Sequence, residues 1–535
     1  RAGAVGASGS GRLTSGSGGL RRSLGLFVVT GIAASVAACA GEGREVAEGV
    51  VEGRTDGAVE EVSADFTSVQ PDLFAASGAQ PNAFVDFDND GDLDLFVGFR
   101  NRPDRLYRND EGIFTDVAAD VGLATPEDTR VAAWGDYDGD GHMDVYIGFP
   151  NADGLTDRIF RNDGEGRGFT EVTAELGISI AGTTRQTSWI DIDADGDVDL
   201  FVALRDGPNR LFRNDGETFA DITEQTRIGD SRRTVGVAWF DYEQDGDLDA
   251  FVANQNGDAD GFFRNDGGVF TDIAGELGMD GGVRSEEIGG VGPDVTDMDN
   301  DGDLDLFVAN YGPDTIWRNN GDGSFTEVAA GTVVGADHHS TTSAWGDFDN
   351  DGWPDVFVAA YLGDEPEAPD HLFRNEGGRF VDATPPAFRA KGASHGVRWA
   401  DYDADGDLDL ALANNHREEG THPLYRNDLP SDQAARSIQV RLVDAQGRHR
   451  FAGAEVRVFD TASGRLLGTR LVDSGGGYCS QGAAPVHVGL PAAVERVDVE
   501  VTTLGPEGRR SERTENVDPG AIPGRVLELR SGSDR

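Results

Sequence analysis

Asp86-Phe87-Asp88-Asn89-Asp90-Gly91-Asp92-Leu93-Asp94-Leu95 is the first of seven near-copies of one ten-residue pattern. The others begin at Asp136, Asp191, Asp241, Asp297, Asp347 and Asp401, at intervals of 50, 55, 50, 56, 50 and 54 residues. A period this constant marks a repeat architecture in which each copy is one supersecondary unit. Acids stand at positions 1, 3, 5 and 9, and glycine at position 6. Alternate residues of a tight loop turn their side chains to one centre. Glycine at position 6 permits a backbone turn that residues with a Cβ resist.

A cage of several carboxylates and a carbonyl suits Ca²⁺, which accepts roughly six to eight oxygens in a flexible shell. Mg²⁺ demands stricter octahedral geometry and keeps its waters. An EF-hand opens alike but needs a glutamate at position 12 and flanking helices, whereas here the flanks alternate like strands (Trp134-Gly135 before, Val145-Tyr146-Ile147 after). The reading gives up to seven Ca²⁺, with the carbonyl of position 7 joining the side chains. The ligand sets are Asp86, Asp88, Asp90, Asp92 and Asp94; Asp136, Asp138, Asp140, His142 and Asp144; and Asp191, Asp193, Asp195, Asp197 and Asp199. Next come Asp241, Glu243, Asp245, Asp247 and Asp249; then Asp297, Asp299, Asp301, Asp303 and Asp305. The last two are Asp347, Asp349, Asp351, Trp353 and Asp355, and Asp401, Asp403, Asp405, Asp407 and Asp409. Glu243 at position 3 sets the fourth loop apart. Asp-Gly turns also serve plain hairpins, but seven four-acid loops exceed what a turn requires.

Each repeat carries two further signatures. An aromatic residue precedes Arg-Asn at Arg108-Asn109, Arg161-Asn162, Arg213-Asn214, Arg264-Asn265, Arg318-Asn319, Arg374-Asn375 and Arg426-Asn427. A phenylalanine then opens a short strand at Phe114, Phe169, Phe219, Phe270, Phe325 and Phe380. Four short strands per repeat of about 50 residues describe a propeller blade. The phenylalanine signature is missing after Tyr425 and appears once before the first loop, at Phe66-Thr67-Ser68-Val69. That offset predicts a closed, seven-bladed β-propeller whose last blade takes its outer strand from the N-terminal side, which removes exposed edges. The alternative, an open solenoid, needs capping repeats.

The chain has 535 residues, 38% hydrophobic, and a formal net charge of −52, with Lys391 its one lysine. So acidic a surface argues against nucleic acid as a partner. Arg21-Arg22 and the apolar run from Leu24 to Ala38 read as a secretory signal. Its end, Val36-Ala37-Ala38-Cys39, resembles a lipobox, so Cys39 is the expected lipidation site of a bacterial outer-membrane or cell-surface lipoprotein held to the membrane by lipid alone. Ordinary signal cleavage is the alternative. The predicted organisation is a signal peptide over 1–38, a tether over 39–62, the propeller over 63–429 and a small β-sandwich-like domain over 430–535. Period-2 runs such as Val497-Asp498-Val499-Glu500-Val501 mark that last domain as all-β.

The repeats resemble the FG-GAP/VCBS type. The tail, with Gly453-Ala454-Glu455-Val456, Gly477-Tyr478-Cys479-Ser480-Gln481 and His487-Val488-Gly489-Leu490, resembles the ASPIC/UnbV domain. The combination is similar to that of the cartilage acidic protein family. The resemblance implies a calcium-bearing propeller and extracellular placement, and no agreed activity. Where that family's tail commonly has Trp-Pro-x-Gly, this chain has Leu504-Gly505-Pro506-Glu507-Gly508. No nucleophile elbow surrounds Ser480, so catalysis there is not expected, and the Gly-rich turn with Tyr478 reads as structural.

In a propeller the cation loops share one face. The opposite face receives the segments that lead into the innermost strands, and these hold Arg130, Arg185, Arg233, His338, His339 and His395. Arginine and histidine gathered at one mouth would receive a carboxylate or sulfate; the plainer reading is local charge balance. The function expected is a non-enzymatic surface binding or adhesion module for a glycan or an extracellular protein. The alternatives are a polysaccharide-active enzyme on a calcium propeller and a purely structural surface protein.

Overall fold

The computed structural model describes residues 65–532 except 151–153, 165, 332, 335–338, 362–369, 389–392 and 416–419. The signal-type segment, the tether, Cys39, His338 and Lys391 lie outside the described residues.

Among the described residues each of the seven repeats forms an antiparallel sheet of four strands, in chain order from inner to outer strand in the first six, and the second sheet gains a fifth, parallel strand from Ser480–Gln481. The first holds Ala79–Val85, Asp94–Phe99, Arg105–Asp110 and Ile113–Asp116. Second strands such as Asp94–Phe99 and Asp199–Leu204 are buried throughout, because neighbouring sheets cover both faces. That is why they read as unbroken apolar runs and not as alternation. Tryptophans near the ends of the inner strands, Trp134, Trp189 and Trp239, fill the gaps between sheets at 0–1% exposure.

The seventh sheet combines distant parts of the chain. Ser394–Ala400, Asp409–Asn414 and Leu424–Asn427 are completed by Phe66–Val69, which pairs antiparallel with Leu424–Asn427. The ring closes where Ser394–Ala400 packs beside Ala79–Val85, and Asn82 donates Nδ2–H to the Ala411 carbonyl at 2.9 Å.

The Arg-Asn signature has a structural cause. Asn162 Nδ2 donates to the Phe87 carbonyl of the preceding sheet's loop and to Met143 O of its own. Asn214, Asn319, Asn375 and Asn427 reach back alike to Tyr137, Tyr242, Met298 and Phe348, and Asn109 reaches Tyr402 of the seventh sheet. Each of these six asparagines ties two adjacent repeats, and the Asn109 tie crosses the closure, while Asn265 donates to Leu248 O of its own repeat.

Residues 437–531 form a three-stranded sheet, in which Ser437–Asp444 runs parallel to Val526–Ser531, and a four-stranded sheet from Leu466–Leu471, Glu455–Asp460, Val497–Gly505 and Gly508–Val517. Ile438, Val440, Val456, Val458, Val488, Val499 and Val501 form the core between them.

Candidate metal sites and the two ends of the channel

The acidic loops share one backbone path. Position 6 glycines lie at φ from +87° to +106°, and position 4 is left-handed in every copy, including Ala194, Gln244 and Ala404. Non-glycine residues pay a steric cost there, so the loop geometry overrides local preference at position 4. The position 1 carboxylate accepts the N–H groups of positions 5 and 6: Asp90 N and Gly91 N reach Asp86 at 3.1 and 3.2 Å. The same pair recurs at Asp241, Asp297, Asp347 and Asp401.

Position 9 does more than face the cage. Asp94 accepts Phe87 N at 3.0 Å and Asn109 N at 2.8 Å, and its six equivalents accept the same two groups. This aspartate pins loop to strand whether or not it ligates.

Carboxylate oxygens converge within 4.8 Å in the groups Asp86–Asp88–Asp90, Asp136–Asp138–Asp144, Asp191–Asp193–Asp199, Asp297–Asp299–Asp305 and Asp347–Asp349–Asp351. Burial, joined by the neighbouring carboxylates, pushes Asp86 up to about 6, Asp191 to about 7 and Asp401 to about 8. A cation at the centre would reverse that cost. Buried carboxylate oxygens with no hydrogen-bond partner occur in six loops, at Asp88, Asp136, Asp191, Asp299, Asp349 and Asp403. The donor set therefore fits a hard cation. The fourth loop has no such oxygen among the described residues; there Arg509 donates to Asp241 Oδ2 at 2.7 Å.

Arg509 belongs to the C-terminal sheets, which rest on the loop face. Gln439 Nε2 donates to Asp401 Oδ2 at 2.7 Å, His449 N to Asp136 Oδ2 at 3.3 Å, Arg457 to Gly302 O at 3.0 Å and Gln433 to Asp349 O at 2.6 Å. Arg441 lies 3.9 Å from Asp86 and Arg450 3.4 Å from Asp197. Every loop thus touches the C-terminal segment.

From these sheets the Gly-rich turn drops into the channel. Ser480 and Gln481 pair in parallel with Ala132 and Ala133 of an inner strand. Gln481 exchanges hydrogen bonds with the Trp189 backbone at 2.8 and 3.0 Å, and Gly477 N donates to Pro293 O at 2.7 Å. Gln186 accepts Cys479 N at 2.6 Å and donates to Gly475 O. Gly475, at φ +91°, would put a Cβ 2.5 Å from Ser188 Oγ, so the plug requires glycine there. The turn is structural as expected, but its structure is that of a plug. Ser480 is 1% exposed, and His487 is directed to the Gly406 carbonyl, its pKa lowered to about 4 by burial.

The plug's tip, Tyr478, reaches the mouth opposite the loops. Arg185 donates Nη1–H to the Tyr478 hydroxyl at 2.9 Å and is 9% exposed. Arg130 donates to Gln80 Oε1 at 2.9 Å and Arg205 to Asn256 Oδ1 at 2.8 Å. Nε of Arg130 and of Arg185 has no partner. Burial, then the neighbouring Arg185, lowers Arg130 to about 10. Arg233 sits apart, exposed, 3.7 Å from Asp258. His339 stacks on Tyr311 with ring centroids 4.7 Å apart. His395 is buried 5.8 Å from the Tyr478 ring, and burial with Arg130, Arg100 and Arg185 drives its pKa to about 3, so it does not charge near neutral pH. Arg205 is not among the residues expected at this mouth, and Tyr478, expected only as part of a structural turn, is not expected there. Arg205 follows a second strand and not the segment before a first one, and Tyr478 comes from outside the repeats.

A model of the FG-GAP-like repeat matches residues 86–147, 191–252, 297–358 and 347–412, and one of the FG-GAP repeat matches 129–168. The chain carries FG-GAP repeats. It is homologous to cartilage acidic protein 1, at 30% identity over 267 residues with the Xenopus tropicalis protein and 29% over 286 residues with the Homo sapiens one. Those alignments cover 48% and 52% of this chain and 39% and 41% of the relatives, so the chain matches about two fifths of their length. Among solved structures, an Agrocybe aegerita lectin, described for its recognition of non-reducing terminal N-acetylglucosamine, aligns at 17% identity over 58% of this chain and 81% of its own, with a TM-score of 0.38. YCF48 from Cyanidioschyzon merolae aligns at 11% identity over 68% of this chain and 98% of its own, with a TM-score of 0.41.

Proposed function

We propose that this FG-GAP-repeat propeller is a calcium-stabilised, non-catalytic binding module of the bacterial cell surface, anchored through lipid on Cys39. It takes an anionic group of a glycan or of an extracellular protein at the mouth opposite the acidic loops. One observation carries the binding reading: Arg130, Arg185 and Arg205 gather around Tyr478, and their hydrogen bonds go to neutral oxygens of Gln80, Tyr478 and Asn256, in a chain of charge −52. Arginine held without a carboxylate is poised for bidentate pairing with one from a ligand. The plug closes the channel behind Tyr478, so a ligand presents its charge at a tip and does not thread through.

A screen of acidic and neutral glycans against a soluble chain beginning at Ser63 tests this reading. Binding to carboxylated or sulfated glycans, lowered at least tenfold by Arg205→Ala together with Arg130→Gln, is the expected result. Equal binding to neutral glycans, or no loss in the double variant, would refute it.

A further inference from the structure

On the loop side of the plug, a cavity of about 200 Å³ lies between the ring and the C-terminal sheets. At roughly 30 Å³ of liquid volume per water, it has room for a single sugar-sized molecule. Its wall combines Trp345, Trp399, Arg398 and Asp294 of the ring with Arg470 and Asp473 of the C-terminal segment.

The two arginines are incompletely matched. Arg470 donates Nη1–H to the carbonyl of its own neighbour Thr469 at 2.9 Å, and its Nη2 has no partner. Arg398 meets only carbonyls, those of Val397, Gly476 and Ser480, and its Nε has none. Among the described residues neither forms a salt bridge. Arg470 lies in the field of the loop carboxylates Asp297, Asp347 and Asp355 and Arg398 in that of Asp294, yet none of them bonds the open donors, and a buried guanidinium with open donors is costly unless an anion meets it. On the acidic side the two carboxyls differ. Asp473 spends both oxygens on Gly475 N and Gly482 N, at 2.7 and 2.9 Å. Asp294 is half-buried at the wall in the field of Arg398 and accepts Val295 N and Trp345 N; its two oxygens keep acceptor capacity beyond these bonds. The indoles supply an apolar surface of the kind that packs against a sugar ring.

We infer that this chamber is a binding site for a small hydroxylated carboxylic acid of about the size of one sugar acid. Arg470, supported by Arg398, takes the carboxylate, Asp294 accepts from hydroxyl groups, and the Trp345 and Trp399 indoles flank the ring. The site is distinct from the arginine mouth at the far end of the plug, and neither reading depends on the other.

Isothermal titration of the calcium-loaded chain tests this with three probes: D-glucuronate, D-glucose, which lacks the carboxylate, and acetate, which lacks the ring. Glucuronate should bind at least tenfold more tightly than glucose or acetate. Arg470→Met should lower glucuronate affinity at least tenfold while glucose binding stays as it was, and Arg205→Ala at the far mouth should change neither. If Arg470→Met fails to fold, Ala484→Leu, which narrows the same cavity without removing a charge, should abolish the binding. No glucuronate binding at millimolar concentration would overturn the inference, as would binding indifferent to both cavity variants or abolished by Arg205→Ala.

Discussion

Phe66 stands directly opposite Asn427, in the register that joins Asn109 to Phe114 and Asn265 to Phe270 within single repeats. The seventh sheet therefore reproduces the other six with a strand supplied from the other end of the propeller. The Phe66 ring lies 4.7 Å from Phe388 and 6.2 Å from Trp399. A chain beginning at Asp72 should aggregate or melt far lower than one beginning at Ser63, since it exposes an unpaired edge. Phe66→Ala alone should cost about 2 kcal/mol, below the range for a fully buried phenylalanine because the ring is only partly covered. Thermal melts of the two chains and of the variant check this.

The asparagine ties predict a second stability effect. Removing the Asn214 side chain leaves the carbonyls of Tyr137 and Val198 buried without a donor. Asn214→Ala should destabilise by about 2–4 kcal/mol in urea unfolding, given roughly 1–3 kcal/mol per stranded buried group. Thr218→Ala in the neighbouring turn should change little.

The plug makes a third. Gly475→Val places side-chain atoms on Ser188 and should drive the turn out of the channel. Limited proteolysis should then cut between residues 473 and 485, a stretch that stays protected in the parent chain. Protection unchanged in the variant would mean that the turn is not held as described.

Without metal, the loop carboxylates set the pH dependence. Burial and like charges raise Asp86, Asp136, Asp191, Asp297 and Asp401 to between about 6 and about 8, above the ordinary value of 3.8. The folded state then binds more protons than the unfolded one, so stability falls as pH rises between about 4 and 8. In EDTA the melting temperature should be higher at pH 5.5 than at pH 8. Excess calcium should remove or invert that trend, because it stabilises the ionised carboxylates.

Much of this was legible in the sequence because repetition multiplies weak signals. One Asp-x-Asp-x-Asp-Gly loop is an ordinary turn; seven at a fixed period, with the displaced Phe66 strand, specify the sheets and their closure. The C-terminal segment was legible only as strands. Gln439, Gln433, Arg457 and Arg509 contact the loops from four unrelated sequence contexts, and no periodicity links them. The plug was equally hidden, since Gly475–Gln481 reads as a turn until the channel gives its N–H and C=O groups partners. His395 shows the limit of reading charge from residue type: its neighbours are arginines, and their field with burial keeps it neutral.

The fourth loop sharpens the question of metal. Arg509 meets Asp241 where the other loops leave a carboxylate oxygen unmatched. Metal analysis of the chain after dialysis against micromolar calcium, paired with a melt in EDTA, is the most direct test. About six calcium ions per chain are expected, with one lost in Asp88→Ala, none lost in Glu243→Ala, and a melting temperature that drops by several degrees or more when calcium is removed. A chain that retains no calcium and melts identically in EDTA would contradict the assignment of these loops as metal sites.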